Sequence, residues 1–313
     1  MIMITTLTMN PCIDYSILVE KLIPGGTNRV ISARRDGAGK GINVASVFCN
    51  LGGTACCVFP DFAQNGELVR ESVVRKDILA RAIPAEGTLR TNVKVLEIPT
   101  QTYTEFNEKG HPLTEETVAA LKNAVREQRE QSSLIVLSGS LPKGLSADFY
   151  ADFLAELQGC RVILDTSGEA LTKGIEARPF LIKPNIDEFS ALTGKTYQDL
   201  SQIVADAKGY IARGITYICI SLGKDGALMI SAEETWYAPG LELQVKGAQG
   251  AGDSVVAGIC KALEENADVE TMLRYGVAAA SATVEQEGTG LCDKKGFDRM
   301  LSKIKCQKLP VWN

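Results

Sequence analysis

Short apolar runs alternate along this chain with stretches of helical period, and the turns between them are rich in Gly, Pro and Asn. Met1–Met9 is a nearly continuous apolar and β-branched run stopped by Asn10–Pro11, which predicts a buried strand. Gly41–Leu51 follows a Gly-rich turn, stops at Gly52–Gly53 and predicts a helix. A short buried strand over Ala55–Phe59 and a helix over Glu67–Lys76 come next. Arg90–Phe106 holds two strand-like runs, TNVKVLEI and TYTEF, divided by Pro99. Thr114–Gln131, opened by Thr-Glu-Glu after a proline, predicts a helix with a capped start.

From there strand and helix alternate. LIVLSGS, RVILDTS, PFLIKPN, YICISLG and GALMIS predict strands, with ETWYAPG a short edge strand. Helices are expected over Ala147–Leu157, Glu188–Leu192, Leu200–Arg213, Gly252–Glu265, Val269–Glu285 and Lys295–Ile304. Such alternation predicts the α/β class, a mostly parallel central sheet flanked by helices on both faces. The runs near residues 14–32 and 88–106 break the pattern and predict a small added β lid. No repeat or linker divides the chain, so residues 1–313 are expected to form one domain.

Composition narrows the function classes. With 45% hydrophobic residues among 313, there is material for a large core. A net charge of -5 argues against a nucleic-acid partner, which needs a basic face to meet phosphates. Arg34–Arg35 is the one basic doublet of note and is expected in a solvated turn. No apolar run approaches a membrane span, and the N-terminus lacks the basic-then-apolar pattern of a signal peptide. The nine cysteines are scattered without a C-x-x-C, as expected of buried hydrophobes in a reducing cytoplasm. The only histidine, His111, lies in the polar stretch NEKGHPLTEE. Histidine triads and His-rich metal sites are thereby excluded, and acid–base work falls to carboxylates and lysines.

The sharpest local signal is GAQGAGDSVVAGI, Gly247 to Ile259. Gly250, Ala251 and Gly252 lead directly into an apolar helix, so their N–H groups converge at a helix N-terminus, which favours anions. Asp253 follows in the first turn. Alone, it is most simply a helix cap. With three nearly side-chain-free residues ahead of it, it could instead take a proton from a hydroxyl while the amides hold a phosphoryl group. DGAGKGINVA, Asp36 to Ala45, is neither a Walker A motif nor G-x-G-x-x-G. It is a plain turn or a backbone cradle for sugar hydroxyls, with Lys40 and Asn43 as polar contacts. In KPNIDEF, Asn185 and Glu188 have capping-box spacing and could equally organise Mg2+-bound water. In SLGKDGALMI, Ser221, Gly223 and Gly226 shape a strand–turn–strand or a simple hairpin.

Taken in order, TLTMNPCID, GGTNR, GAGKGINVA, LRTNVKV, TYTEF, LSGSLPKG, KPNIDEF, SLGKDGAL and GAGDSVVAGI resemble the PfkB (ribokinase-like) carbohydrate kinases. The likeness is greatest to their hexose-phosphate branch, 1-phosphofructokinase and tagatose-6-phosphate kinase. The resemblance implies a ribokinase-like fold and ATP-dependent phosphorylation of a ketohexose phosphate, with fructose 1-phosphate going to fructose 1,6-bisphosphate. Tagatose 6-phosphate is the nearest alternative, and a catalytically weak sugar-phosphate sensor the alternative of another class. The resemblance makes Asp253 the base and Gly250, Ala251 and Gly252 the anion hole. It assigns Asp14, Gly39, Lys40 and Asn43 to the sugar, with Arg29, Arg90, Lys94 and Ser138 near the sugar's own phosphate. Lys183, Asn185, Ser221, Gly223 and Gly226 would line the nucleotide, and Asn185 and Glu188 would serve Mg2+. In this family the lid often also pairs two subunits, which makes a homodimer through the lid sheet an expectation here. Three positions depart from the pattern: Ala38 where a second Gly is usual, Cys56–Phe62 in place of a Gly-rich run, and Gln249 where a small or apolar residue precedes GAGD. The bulk of Pro60 and Asp61 is expected close to the sugar.

Overall fold

A computed structural model of the chain describes residues 3–74, 78–100, 102–247, 249–286 and 290–310. Met1, Ile2, Arg75, Lys76, Gln101 and Ala248, which fall in the segments predicted above, lie outside the described residues. Ten strands form one sheet. In chain order they are β1 (Met3–Thr8), β4 (Thr54–Gln64), β5 (Leu79–Thr88), β8 (Ser132–Ser138), β9 (Val162–Asp165), β10 (Leu181–Ile182), β11 (Tyr217–Ser221), β12 (Ala227–Ile230), β13 (Thr235–Ala238) and β14 (Gln307–Lys308). Their spatial order is β14-β13-β12-β11-β10-β9-β8-β1-β4-β5. From β11 to β5 every pair is parallel, and β12, β13 and β14 add on antiparallel.

The central strands are apolar without interruption because both faces are covered. Successive side chains of β8 go to opposite layers. Leu134 and Val136 join the core under α1 (Lys40–Asn50), α8 (Ala251–Glu264), α9 (Val269–Val284) and α10 (Lys294–Leu301). Ile135 and Leu137 join the core under α3 (Glu115–Gln128), α4 (Phe149–Glu156), α5 (Gly168–Gly174), α6 (Ile186–Thr193) and α7 (Leu200–Ala212). The capped start of α3 is present, with the Thr114 hydroxyl accepting from the Thr117 N–H at 3.2 Å. His111 packs edge-on to Phe62, with its ring close to Gly87.

Four further strands form a separate sheet, β3-β2-β6-β7: β2 (Cys12–Val19), β3 (Val30–Ala38), β6 (Arg90–Glu97) and β7 (Thr102–Asn107). It reaches further than 14–32 suggested. β3 runs to Ala38 against Cys12, so Arg34 and Arg35 are solvent-exposed as expected but sit in a strand and not in a turn. The second extension is β4, eleven residues long where a short strand was expected, paired along Cys56–Gln64 with β5. The hydrophobic pattern did not mark β5, whose Pro84 and charges suit an edge strand. Helix α2 (Glu67–Val74) then lies against β3, so close that a Cβ on Gly37 would sit 2.2 Å from the Leu68 carbonyl oxygen.

Candidate active site

Helix α8 begins without a side-chain cap. Gly250 turns the chain into it at φ 73°, a left-handed conformation that disfavours a side chain, and a Cβ there would meet Leu291 at 2.5 Å. Asp253 sits in the first turn but does not cap it. Its Oδ2 instead accepts from Asn43 Nδ2 at 2.8 Å, and its Oδ1 is 3.6 Å from Lys40 Nζ. Lys40 also donates to Asp165 Oδ2 at 3.1 Å, and Lys183 Nζ lies 3.4 Å from Asp165 Oδ1. Lys183 is also next to the helix start, 3.4 Å from where Gly252 would carry a Cβ. Four elements thus supply one cluster: the starts of α1 and α8 and the ends of β9 and β10.

Its electrostatics are those of two buried carboxylates beneath one accessible cation. The side chains of Asp165 and Asp253 are 1% and 8% exposed, whereas that of Lys40 is 40% exposed. Burial pushes the Asp253 carboxyl up; Lys40, the Asn43 hydrogen bond and Lys183 oppose this, and Asp165 adds to it. Asp165 moves the other way: burial opposes its ionisation, but Lys183 and Lys40 overcome that and hold it below the usual range. Burial by itself would lower the Lys40 ammonium, yet Asp165, Asp253 and Glu188 together push it up, so it stays charged. A carboxylate of raised basicity beside a fixed ammonium and an open helix N-terminus can accept a proton while anionic charge is held nearby.

A second group lies on the small sheet. Asp14, on β2, is buried and ion-paired with Lys94 at 3.3 Å, and it accepts a hydrogen bond from Gln249 Nε2. Asp36 pairs directly with it across β2 and β3, and is itself ion-paired with Arg34. A cavity of about 290 Å³ is lined by Asp14, Asp36, Arg34, Asn43, Ser72 and Gln249, among others. Asn43, whose amide holds Asp253, joins this cavity to the first cluster.

The nucleotide-side predictions converge on a third point. Asn185 bridges to Ser221, and Gly226 at φ 101° closes the turn from β11 to β12 against the Ala238 carbonyl. The capping box is real: Glu188 N–H donates to Asn185 Oδ1 at 2.8 Å, and Asn185 N–H to Glu188 Oε2 at 2.9 Å. Lys183 belongs to the Asp165 cluster as much as to this turn.

Three of the expected phosphate contacts do not line the 290 Å³ cavity. Ser138 is fully buried at the end of β8, its hydroxyl near Gly41. Arg90 spends its guanidinium on the carbonyls of Asn10, Pro11 and Glu108. Arg29 is exposed in the turn beyond Val19, about 17 Å along the strand from Asp14 at the usual strand rise. Gly39, expected at the sugar, is the N-cap of α1 and packs on Thr8. Pro60 is buried in β4 and the Asp61 carboxylate is taken by Arg70, so neither lines the cavity. Asp165 and Gln249 are the functional candidates that residue patterns missed. An ionisable residue closing the apolar run VILD was the only signal for Asp165, and the family departure the only one for Gln249.

Residues 2–295 match the pfkB family carbohydrate kinase. The chain belongs to this family. It is 30% identical to 1-phosphofructokinase of Vibrio cholerae over 98% of this chain and 97% of that one. It is 32% identical to 1-phosphofructokinase of Borreliella burgdorferi over 98% and 99%. Phosphofructokinase-2 of Escherichia coli, solved with substrates and products, superposes with a TM-score of 0.92 at 30% identity, over 96% of this chain and 99% of that one. The chain is therefore an ATP-dependent sugar kinase with a ribokinase-like fold. Among the described residues, no helix is long and apolar enough to cross a membrane.

Proposed function

We propose that this kinase transfers the γ-phosphoryl group of ATP to a hydroxyl of a ketohexose phosphate, converting fructose 1-phosphate to fructose 1,6-bisphosphate. The observation that carries the reading is Asp253: a buried carboxylate, turned away from capping, beside Lys40 at a helix start with no side-chain cap. In this reading Asp253 takes the proton of the acceptor hydroxyl as its oxygen attacks the γ-phosphorus and ADP leaves. The amides of Gly250, Ala251 and Gly252, with Lys40, meet the charge that spreads over the transferring oxygens. Asn43 holds the base, and Asp14 with Lys94 holds the sugar. The relatives named 1-phosphofructokinase support the choice of acceptor.

Mg2+ fits this site only as an ion that keeps much of its water. Among the described residues no group of three acidic, Cys or His side chains could hold a metal by itself. Asp165 Oδ1 lacks a well-formed hydrogen bond, and Glu188 engages the Asn185 N–H through Oε2. These two carboxylates, with the Asn185 turn, would hold a hydrated ion whose remaining ligands are nucleotide phosphates. When bound, the ion would neutralise charge on those phosphates.

A homodimer through the small sheet belongs to the same reading. Val30, Ile31, Tyr103 and Phe106 leave large apolar side chains exposed on that sheet, and a second subunit would cover them. ATP consumption measured with fructose 1-phosphate, tagatose 6-phosphate and fructose 6-phosphate tests the function. Highest kcat/KM with fructose 1-phosphate is expected; a clear preference for another acceptor replaces the substrate, and turnover with none refutes the reading.

A further inference from the structure

Gln249 joins the two halves of the site. It directly precedes Gly250, the left-handed residue that starts α8, and its side chain crosses to Asp14 on the small sheet, 235 positions away in sequence. It lines the 290 Å³ cavity, and it also lines a groove of about 630 Å³ that runs beneath the small sheet past Lys94, Ser16 and Lys246. Gln249 and Arg34 line both. We propose that Gln249 determines acceptor specificity, its carboxamide and the Asp14 carboxylate together reading two neighbouring hydroxyl groups of the sugar.

The chemistry follows from what each group can do. An ionised carboxylate only accepts, so Asp14 alone recognises any hydroxyl that can donate to it. Its Oδ1 already faces Lys94 at 3.3 Å and the Cys12 thiol at 3.7 Å. A carboxamide adds a carbonyl acceptor and a second N–H donor. Asp14 and Gln249 therefore present acceptor, donor and acceptor side by side, which suits a pair of adjacent hydroxyls and not a single one. Because Gln249 is bonded to the residue that shapes the anion site, a hydroxyl held on it is also fixed relative to Asp253. Inverting the configuration of one hydroxyl leaves a buried polar partner unmatched, the type of mismatch that such sites reject strongly.

The proposal rests on the sugar-kinase reading above, and its test separates the two. Gln249→Met keeps the volume and removes the amide. Binding of fructose 1-phosphate, and of the C4 epimers fructose 6-phosphate and tagatose 6-phosphate, is measured by calorimetry on Asp253→Asn protein with and without Gln249→Met. Steady-state rates are measured on Gln249→Met alone. The expected result is acceptor affinity weaker by about tenfold or more, the size of one lost hydrogen bond to a charged group. The preference between the two epimers narrows as well, with the KM for ATP unchanged. Wild-type affinity, or an unaltered preference, overturns the proposal. If Gln249→Met melts early, Gln249→Asn is used instead: one methylene shorter, it keeps the amide but withdraws it from Asp14, and the same readouts decide. Absence of any turnover by the wild type would refute the kinase reading of the substrate, while the binding comparison would still decide the role of Gln249.

Discussion

Helices α6 and α8 start within reach of the same residue, Lys183, and they start in opposite ways. At α6, Asn185 and Glu188 satisfy each other's backbone donors in a reciprocal box. At α8 the turn residue is Gly250, no side chain caps the helix, and the one carboxylate in its first turn is drawn off by Asn43 and Lys40. Both sequences contain the residue types of a capped helix. What differs is whether a tertiary partner claims the cap. A helix start whose donors are satisfied internally contributes stability; one left open, with lysines around it, can hold a transferring phosphate.

Substitutions can break that comparison. Asp253→Asn should have the largest effect, lowering kcat by about 10³ with little change in acceptor binding, because it removes a general base and keeps the shape. Steady-state kinetics with calorimetry checks this, and a near wild-type rate would return Asp253 to a structural role. Lys40→Met should follow at about 10² in kcat, since a fixed charge beside the transferring group is lost. The same variant frees two buried carboxylates from their shared cation, so its Tm should also change.

The pH profile sharpens the comparison. The Asp253 carboxyl is raised, first by burial, so the base is lost as pH falls through a value above the ordinary carboxylate range. The acid limb of kcat should therefore begin above that range. Asp165 contributes to the rise, so Asp165→Asn should move the limb to lower pH. A limb that does not move would disconnect the two carboxylates. For stability the sign is opposite to that of a salt-bridged acid. The folded state binds the Asp253 proton more tightly than the unfolded one, so this group's contribution falls as pH rises through the interval between the two values. Asp165, held low by its lysines, contributes stability above the unfolded value that is lost on acidification.

The smallest effect belongs to α6. Asn185→Ala should cost about 1 kcal/mol of stability, the usual worth of a cap, read as a lowered midpoint in denaturant. If it instead abolished activity with stability unchanged, Asn185 would be acting on the nucleotide or its metal ion more than on its helix.

Much of this is legible in the sequence. The parallel sheet follows from apolar runs that cannot be half-exposed, and α3, α7 and α9 follow from period and caps that are local properties of the chain. The missed strand β5 is an edge strand with Pro84 and exposed charges, where pairing to β4 does the work that pattern could not announce. Arg34–Arg35 is solvated as expected, but it looked like a turn because a polar doublet in one sequence window does not reveal that β2 lies beside it.

By itself the sequence determined the fold class, the Gly-rich turn at Gly250–Gly252 that starts α8, and that histidine could not supply a base away from His111. Only the tertiary structure decided what each polar group faces. Asn43 meets Asp253 across 210 positions and Lys40 meets Asp165 across 125, and no spacing rule reaches that far. It released Asp253 from capping, gave Gln249 a partner in Asp14, and committed Arg90 to backbone carbonyls. Local periodicity is set by backbone geometry that every residue shares. Partner choice is set by which strand ends and helix starts the packed sheet brings to one edge.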